Sequence, residues 1–245
     1  MKFIEQHRTN ARQFGVIQNH ARKHALSDDL KQKLQLCAPK STWVWVEVKE
    51  SDLPPFADRQ YFNRTTLFRL GLEKLAPADC RRVAYLDSDI ALLRDVRDLY
   101  QIDLQGQPVG AVIDAYLDPD AFAQRWNLEP GGNYMNAGIL LVDLDAVREQ
   151  KLFSHAIEFI AKHDRDLPYN DQDALSWALW KQWLPLESVW NVQRHMAMPE
   201  IVHEIPQSRR LNGRQPALIH FLGKDKPWHA NAWHPWAWAY WRGLG

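Results

Sequence analysis

Two acidic side chains one residue apart, Asp87 and Asp89, and a histidine far down the chain, His220, are of the types that together fit one divalent cation. Two carboxylates held close repel each other, and a proton or a cation relieves them. Hard oxygen ligands suit Mg2+ or Mn2+, and an added imidazole tilts the choice toward Mn2+. Gly223 and Lys226 follow the histidine within His220-Phe-Leu-Gly-Lys-Asp-Lys-Pro-Trp228. Glycine there lets backbone N–H groups approach a phosphate, and lysine adds a point charge. In this order the two halves predict chemistry on a nucleotide diphosphate. Singly, each half also reads as a plain turn, since acids end strands and Gly-Lys pairs are common on surface loops.

The elements that must carry these residues are legible in part. Arg82-Val-Ala-Tyr-Leu-Asp87 is a short apolar strand ending in acid, and Val109-Gly-Ala-Val-Ile113 is another, ending at Asp114. Gly138-Ile-Leu-Leu-Val142 reads as a strand buried on both faces, and Ala217-Leu-Ile-His-Phe221 as a last short one. Trp43-Val-Trp-Val-Glu-Val48 has strand composition, and Pro54-Pro55 breaks the chain after it. Helices are predicted over Ser27–Leu36, Thr65–Leu75, the stripe Phe153, Ala156, Ile157 and Ile160, and Ala174–Leu179. Strands alternating with helices predict an α/β sheet, whose ligand sites lie at the C-terminal ends of the strands. If Asp87 and Asp89 lie in extended chain, they point the same way from such an end. The segment from Met198 to Pro216 reads as a loop over the body.

Bulk composition narrows the classes. Thirty basic and thirty acidic residues cancel, which speaks against a general nucleic-acid binder. Two cysteines, Cys37 and Cys80, supply neither a disulfide framework nor a thiolate zinc cluster. Residues Met1–Arg8 lack the apolar core of a signal peptide, and no uncharged apolar run approaches the roughly 18 residues of a membrane span. The expected location is cytoplasmic, soluble or peripheral at the inner face of the membrane. Five of the twelve tryptophans fall between Trp228 and Trp241. Packing of that tail as a helix on the body is preferred over a membrane or acceptor surface, because few basic residues accompany it.

The blocks Tyr85-Leu-Asp-Ser-Asp-Ile90, Asn136-Ala-Gly-Ile-Leu-Leu141, Asp171-Gln-Asp173 and His220–Trp228 resemble, in order, the signature blocks of glycosyltransferase family 8. The likeness runs from about Ser27 to about Trp241 and is strongest to bacterial lipopolysaccharide galactosyl- and glucosyltransferases. The resemblance implies a retaining, metal-dependent enzyme using a UDP-sugar and a saccharide or glycolipid acceptor. It implies that Asp87, Asp89 and His220 hold Mn2+ (or Mg2+) and that Gly223 and Lys226 hold the diphosphate. Arg69 would contact the donor, Asp114 and Asn136 would surround its sugar, and Asp171 and Gln172 would lie beneath the anomeric carbon. From the residues alone, Asp114 also reads as a turn acid and Asp171 as a helix N-cap.

The expected fold is accordingly α/β: one GT-A-like domain over residues 1–245, with a mostly parallel central sheet, helices on both faces and a tryptophan-rich helix over 229–245. The family opens with a strand that holds uracil and ribose, so residues 1–26 are expected to be divergent or truncated, and Tyr61-Phe-Asn-Arg64 lacks a histidine often found there. One rival is a non-catalytic or truncated relic of the same fold with weak nucleotide binding. A second, a phosphohydrolase using Asp87 as nucleophile, meets Ile90-Ala-Leu92 where its loop usually carries small residues, and leaves the His220 block unexplained.

Overall fold

The computed structural model describes residues 27–37, 39, 43–46, 64–197, 204–223, 226–229 and 233–242. In chain order these form α1 (Asp28–Cys37), α2 (Leu72–Leu75), β1 (Arg82–Leu86), β2 (Ile90–Leu92), α3 (Val96–Tyr100), β3 (Val109–Ile113), α4 (Pro119–Arg125) and β4 (Met135–Asp143). Then follow α5 (Leu144–Gln150), α6 (Leu152–His163), α7 (Asp171–Ala178), β5 (Leu184–Pro185), α8 (Arg194–Ala197), β6 (Leu218–His220) and α9 (Ala237–Arg242). The expectations for residues 1–26, for 47–48, for Pro54-Pro55 and for Tyr61–Asn63 lie outside the described residues, as do 198–203 of the predicted loop and 230–232 and 243–245 of the predicted tail helix. The chain divides into two compact units, residues 1–83 with 143–178 and residues 84–142 with 179–245.

Among the described residues the first unit is mostly helical, tied by a buried carboxylate, Glu73, and a half-buried guanidinium, Arg148. Glu73 of α2 caps a helix that it does not belong to, accepting from Phe153 N at 2.8 Å and Ser154 N at 3.0 Å at the start of α6. A carboxylate suits a helix N-terminus, whose first N–H groups have no partner within the helix. Arg148 of α5 answers from the other side, donating to the carbonyls of Ala76 and Cys80, each at 2.8 Å, and to that of Pro77 at 3.0 Å. The apolar stripe of α6 buries Phe153, Ala156, Phe159 and Ile160, and Phe159 stacks on Trp177 of α7 with ring centroids 4.2 Å apart. The single helix predicted over Thr65–Leu75 is instead a 3-10 turn (Arg64–Arg69) followed by α2. The break falls at Leu70-Gly71, where glycine's poor helix propensity outweighs the leucine spacing. Trp43–Val46 form no regular strand; Trp43 and Trp45 stack on each other at 5.3 Å.

The second unit holds the sheets. Four strands run in the order β1-β4-β3-β5, and a separate pair is β2-β6. The α/β class holds, and the sheet contains both parallel and antiparallel strands: β3 is antiparallel to β4 and parallel to β5. A continuous apolar run marks a strand buried on both faces without stating its direction, so orientation was not legible in Gly138–Val142. Ala111 pairs with Leu140 but Val112 pairs with Asn136, so β4 bulges out of register over the residues between. Such a bulge re-aims side chains, and it falls on the block Asn136-Ala-Gly-Ile139. The tail packs through Ala239, Tyr240 and Trp236 against Ile219 and Phe221, but among its described residues only α9 (Ala237–Arg242) is helical, less than the 229–245 expected. The rings of Trp228, Trp233, Trp238 and Trp241 nevertheless remain exposed.

Candidate active site

Strand pairing brings the distant histidine to the acids. β2 leaves the acidic triplet and runs antiparallel to β6, with Ile90 opposite His220, and Phe221 N donates to Asp89 O at 3.0 Å. Asp87-Ser-Asp89 is a turn between β1 and β2 rather than extended chain, so the carboxylates converge through the turn and not through strand alternation. Asp87 N donates to Gly138 O at 2.8 Å, which fixes one side of that turn to the bulge of β4. Nε2 of His220 lies 3.7 Å from Asp87 Oδ2 and 3.3 Å from Asp89 Oδ1. The three residues offer ligand atoms that all lie within 4.8 Å of one another. Tyr85 Oη donates to the other Asp87 oxygen at 2.6 Å.

Electrostatics and packing fit these residues to a cation. His220 is buried, and among the described residues its Nε2 makes no hydrogen bond and faces only the two carboxylates. A buried nitrogen left unpaired beside two carboxylates costs free energy that a bound cation would recover. Burial pushes the Asp89 carboxyl up, but His220 and Lys226 outweigh it and hold the group well below the usual carboxylate range. Lys226 donates to Asp89 Oδ2 and to the Phe221 carbonyl, so the loop lysine reaches the acidic turn. Gly223 has φ +69°, with nothing among the described residues within 4 Å of where a Cβ would sit, so the backbone there is left-handed and open on that side.

Behind the histidine runs a buried polar chain. His220 Nδ1 is 3.1 Å from Asn191 Oδ1, and Asn191 Nδ2 donates to Asn136 Oδ1 at 2.8 Å. Asn136 Nδ2 donates to Asp114 Oδ2 at 3.1 Å, while Asp114 Oδ1 accepts from Tyr116 N at 3.1 Å. Asp114 is thus both the turn acid and a partner of Asn136. Two members of this neighbourhood carried no signal beyond their place in a strand or after a tryptophan: Asn191 and Gly138. A Cβ on Gly138 would lie 2.0 Å from Cε1 of His220, so only glycine leaves room for the ring.

The remaining assigned residues belong to the first unit. Asp171 opens α7 and Gln172 follows it, half-buried. Asp171 forms a buried ion pair with Arg69, Nε to Oδ2 at 2.8 Å, while the same Nε–H also reaches Thr66 O at 3.3 Å. Asp173, also in the first turn of α7, accepts from Tyr169 N at 2.7 Å.

Comparison with known proteins places the chain in a family. General stress protein A of Bacillus subtilis is 29% identical over 202 residues, covering 78% of this chain and 68% of its own length. Lipopolysaccharide 1,2-glucosyltransferase of Escherichia coli is 28% identical over 178 residues, covering 72% of this chain and 52% of its own length. The chain therefore spans about two thirds of the first relative and about half of the second. The galactosyltransferase LgtC, solved in complex with donor and acceptor sugar analogues, superposes with a TM-score of 0.75 at 23% identity, over 90% of this chain and 81% of that one, a likeness of fold. The model of glycosyl transferase family 8 matches residues 5–232, starting well before Ser27 and running through the acidic turn, the bulged strand and the histidine–lysine loop. By that match, over most of its length and all the blocks that build this site, the chain belongs to glycosyl transferase family 8.

Proposed function

We propose that residues 1–245 act as one retaining, cation-dependent hexosyltransferase domain that moves galactose or glucose from the UDP-sugar to a saccharide acceptor such as a lipopolysaccharide core. The observation that carries this reading is the convergence of Asp87, Asp89 and the unpartnered Nε2 of His220 beside Lys226. The names of the relatives, a lipopolysaccharide glucosyltransferase among them, support the acceptor class. Mn2+ or Mg2+ held by Asp87, Asp89 and His220 would supply Lewis-acid charge to the departing diphosphate.

The chain's own groups do the rest. The leaving UDP gains negative charge as the glycosidic C–O bond breaks, so the Lys226 ammonium favours the transition state over the ground state. Gly223 holds the turn open for backbone approach to phosphate. Asn136 and Asp114, locked to each other, give the donor sugar a rigid polar wall. For Arg69, Asp171 and Gln172 the family pattern supplies the roles: Arg69 toward the donor, the other two stabilising an oxocarbenium-like sugar. Asp171 engaged with Arg69 is a poor nucleophile, as is the Gln172 amide, which favours attack by the acceptor on the face that UDP leaves. Anomeric configuration of the product, read by NMR, tests this; inversion contradicts it. For the cation-dependent transfer itself, turnover of UDP-galactose and UDP-glucose with Mn2+ is compared in the native protein and Asp89→Ala. The variant should keep its far-UV circular dichroism and lose at least about a hundredfold in rate, because several kcal/mol of charge stabilisation go with the cation. Undiminished turnover would refute the assignment.

A further inference from the structure

The hydrogen bonds leading into His220 have one self-consistent direction. The Gly138 N–H can only donate, and it meets Asn136 Oδ1 at 3.1 Å. That orients the Asn136 amide, whose Nδ2 then faces the Asp114 carboxylate at 3.1 Å. The Asn136 oxygen can only accept, so the Asn191 atom 2.8 Å from it is Nδ2. Asn191 is left to present Oδ1 to His220 Nδ1 at 3.1 Å. An amide oxygen only accepts, so Nδ1 carries a proton. A main-chain N–H of the β4 bulge thereby sets the state of an imidazole two side chains away.

This matters because the surroundings of the other nitrogen pull the opposite way. Nε2 lies 3.3 Å and 3.7 Å from two carboxylate oxygens, and both would attract a proton there. A neutral ring with its proton on Nε2 has no lone pair to offer at that position and cannot ligate a metal between Asp87 and Asp89. Asn191 is fully buried at the end of a 3-10 turn (Ser188–Asn191), and the next residue, Val192, is bridged to Ile219 of β6. His220 N donates to Val192 O at 2.9 Å, so Asn191 is held in step with the histidine it faces.

Resting on the reading of Asp87, Asp89 and His220 as a cation site, we propose that Asn191 is the positioning residue that commits His220 to the Nδ1–H tautomer, so that Nε2 turns its lone pair to the cation. Partners of this kind, which hold the second nitrogen of a ligating histidine, typically contribute about tenfold to a hundredfold in metal affinity.

The test is 15N NMR of the histidine side chains in the metal-free protein, at a pH where the 15N shifts themselves report a neutral His220 ring, together with Mn2+ titration. Native protein should show His220 protonated on Nδ1. Asn191→Leu should move the proton to Nε2 and weaken Mn2+ binding by about tenfold or more. Asn191→Ser, smaller and easier to accommodate at a buried position, withdraws the same acceptor and should shift the tautomer the same way. Asn191→Asp still accepts from Nδ1 and should restore the native tautomer. An unchanged Nδ1–H signal with native Mn2+ affinity in either folded variant, Leu or Ser, overturns the proposal. The tautomer is read without metal: native Nδ1–H with no Mn2+ binding would sink the cation site while upholding the role of Asn191 in setting the ring.

Discussion

His220 and His195 lie in the same unit, are buried to nearly the same degree, and do opposite things. His195, on α8, has no hydrogen-bond partner at either ring nitrogen among the described residues and meets the Tyr116 ring edge-on at 4.6 Å. Burial alone pushes its pKa down to about 4, so it sits in the body as a neutral aromatic ring. His220 is fixed through Nδ1 by Asn191, and its other nitrogen faces two carboxylates. Burial therefore does not separate a structural imidazole from a proposed ligand. The separation lies in asymmetry: one nitrogen held, the other left open toward charge.

The largest effect expected from this comparison is the pH dependence contributed by His195. Its folded pKa of about 4 lies below the roughly 6.5 of an unfolded imidazole, so between those values the unfolded chain binds a proton that the native chain does not. Stability should fall as pH is lowered through that window, by about 3 kcal/mol in all. Urea unfolding at pH 7 and pH 4 measures it, and His195→Phe should remove that share of the slope. An identical slope in the variant would mean that His195 is not held neutral by burial.

Next in size is Gly138→Ala. A Cβ 2.0 Å from Cε1 of His220 must displace the ring or the strand. Overpacking of this kind costs about 1–3 kcal/mol, read in the same urea experiment, and Mn2+ affinity should fall with it. A variant that is as stable as the native protein and binds Mn2+ equally well would show that the ring need not sit where it does.

The smallest effect concerns Lys226. Its ammonium neutralises Asp89 when no diphosphate is present, and so competes with a cation for that carboxylate. Without nucleotide, Lys226→Met should bind Mn2+ about threefold more tightly, the modest scale of a partly exposed ion pair. Weaker binding in the absence of nucleotide would show that the lysine assists the cation rather than competing with it.

Much of this site was legible before the fold was seen, for a physical reason. Asp87, Asp89, His220, Gly223 and Lys226 lie at the ends of short apolar strands, where residue type and position both carry information. Convergence was legible too, though its cause was not: a turn and the β2-β6 pairing bring the acids to His220, whereas strand alternation was expected to aim them. Ile90-Ala-Leu92 is too short to announce itself as a strand. Asn191 was silent because its role is conferred by which amides face it, and no spacing encodes that. Gly138 was visible as part of an apolar run and of a family block, but not its role, since the value of a missing Cβ depends on the ring from another strand that fills the space. The mixed direction of the sheet was hidden for a related reason: β3 and β4 are equally apolar whichever way they pair.

On the proposed reading, Asp87, Asp89 and His220 hold one divalent cation. Calorimetric titration of Mn2+ into the native protein in the presence of UDP, and into Asp89→Ala under the same conditions, tests it most directly. Saturable binding of one Mn2+ per chain in the native protein, lost in the folded variant, is the predicted result. No saturable heat in the folded native protein, or equal binding by both, would contradict it.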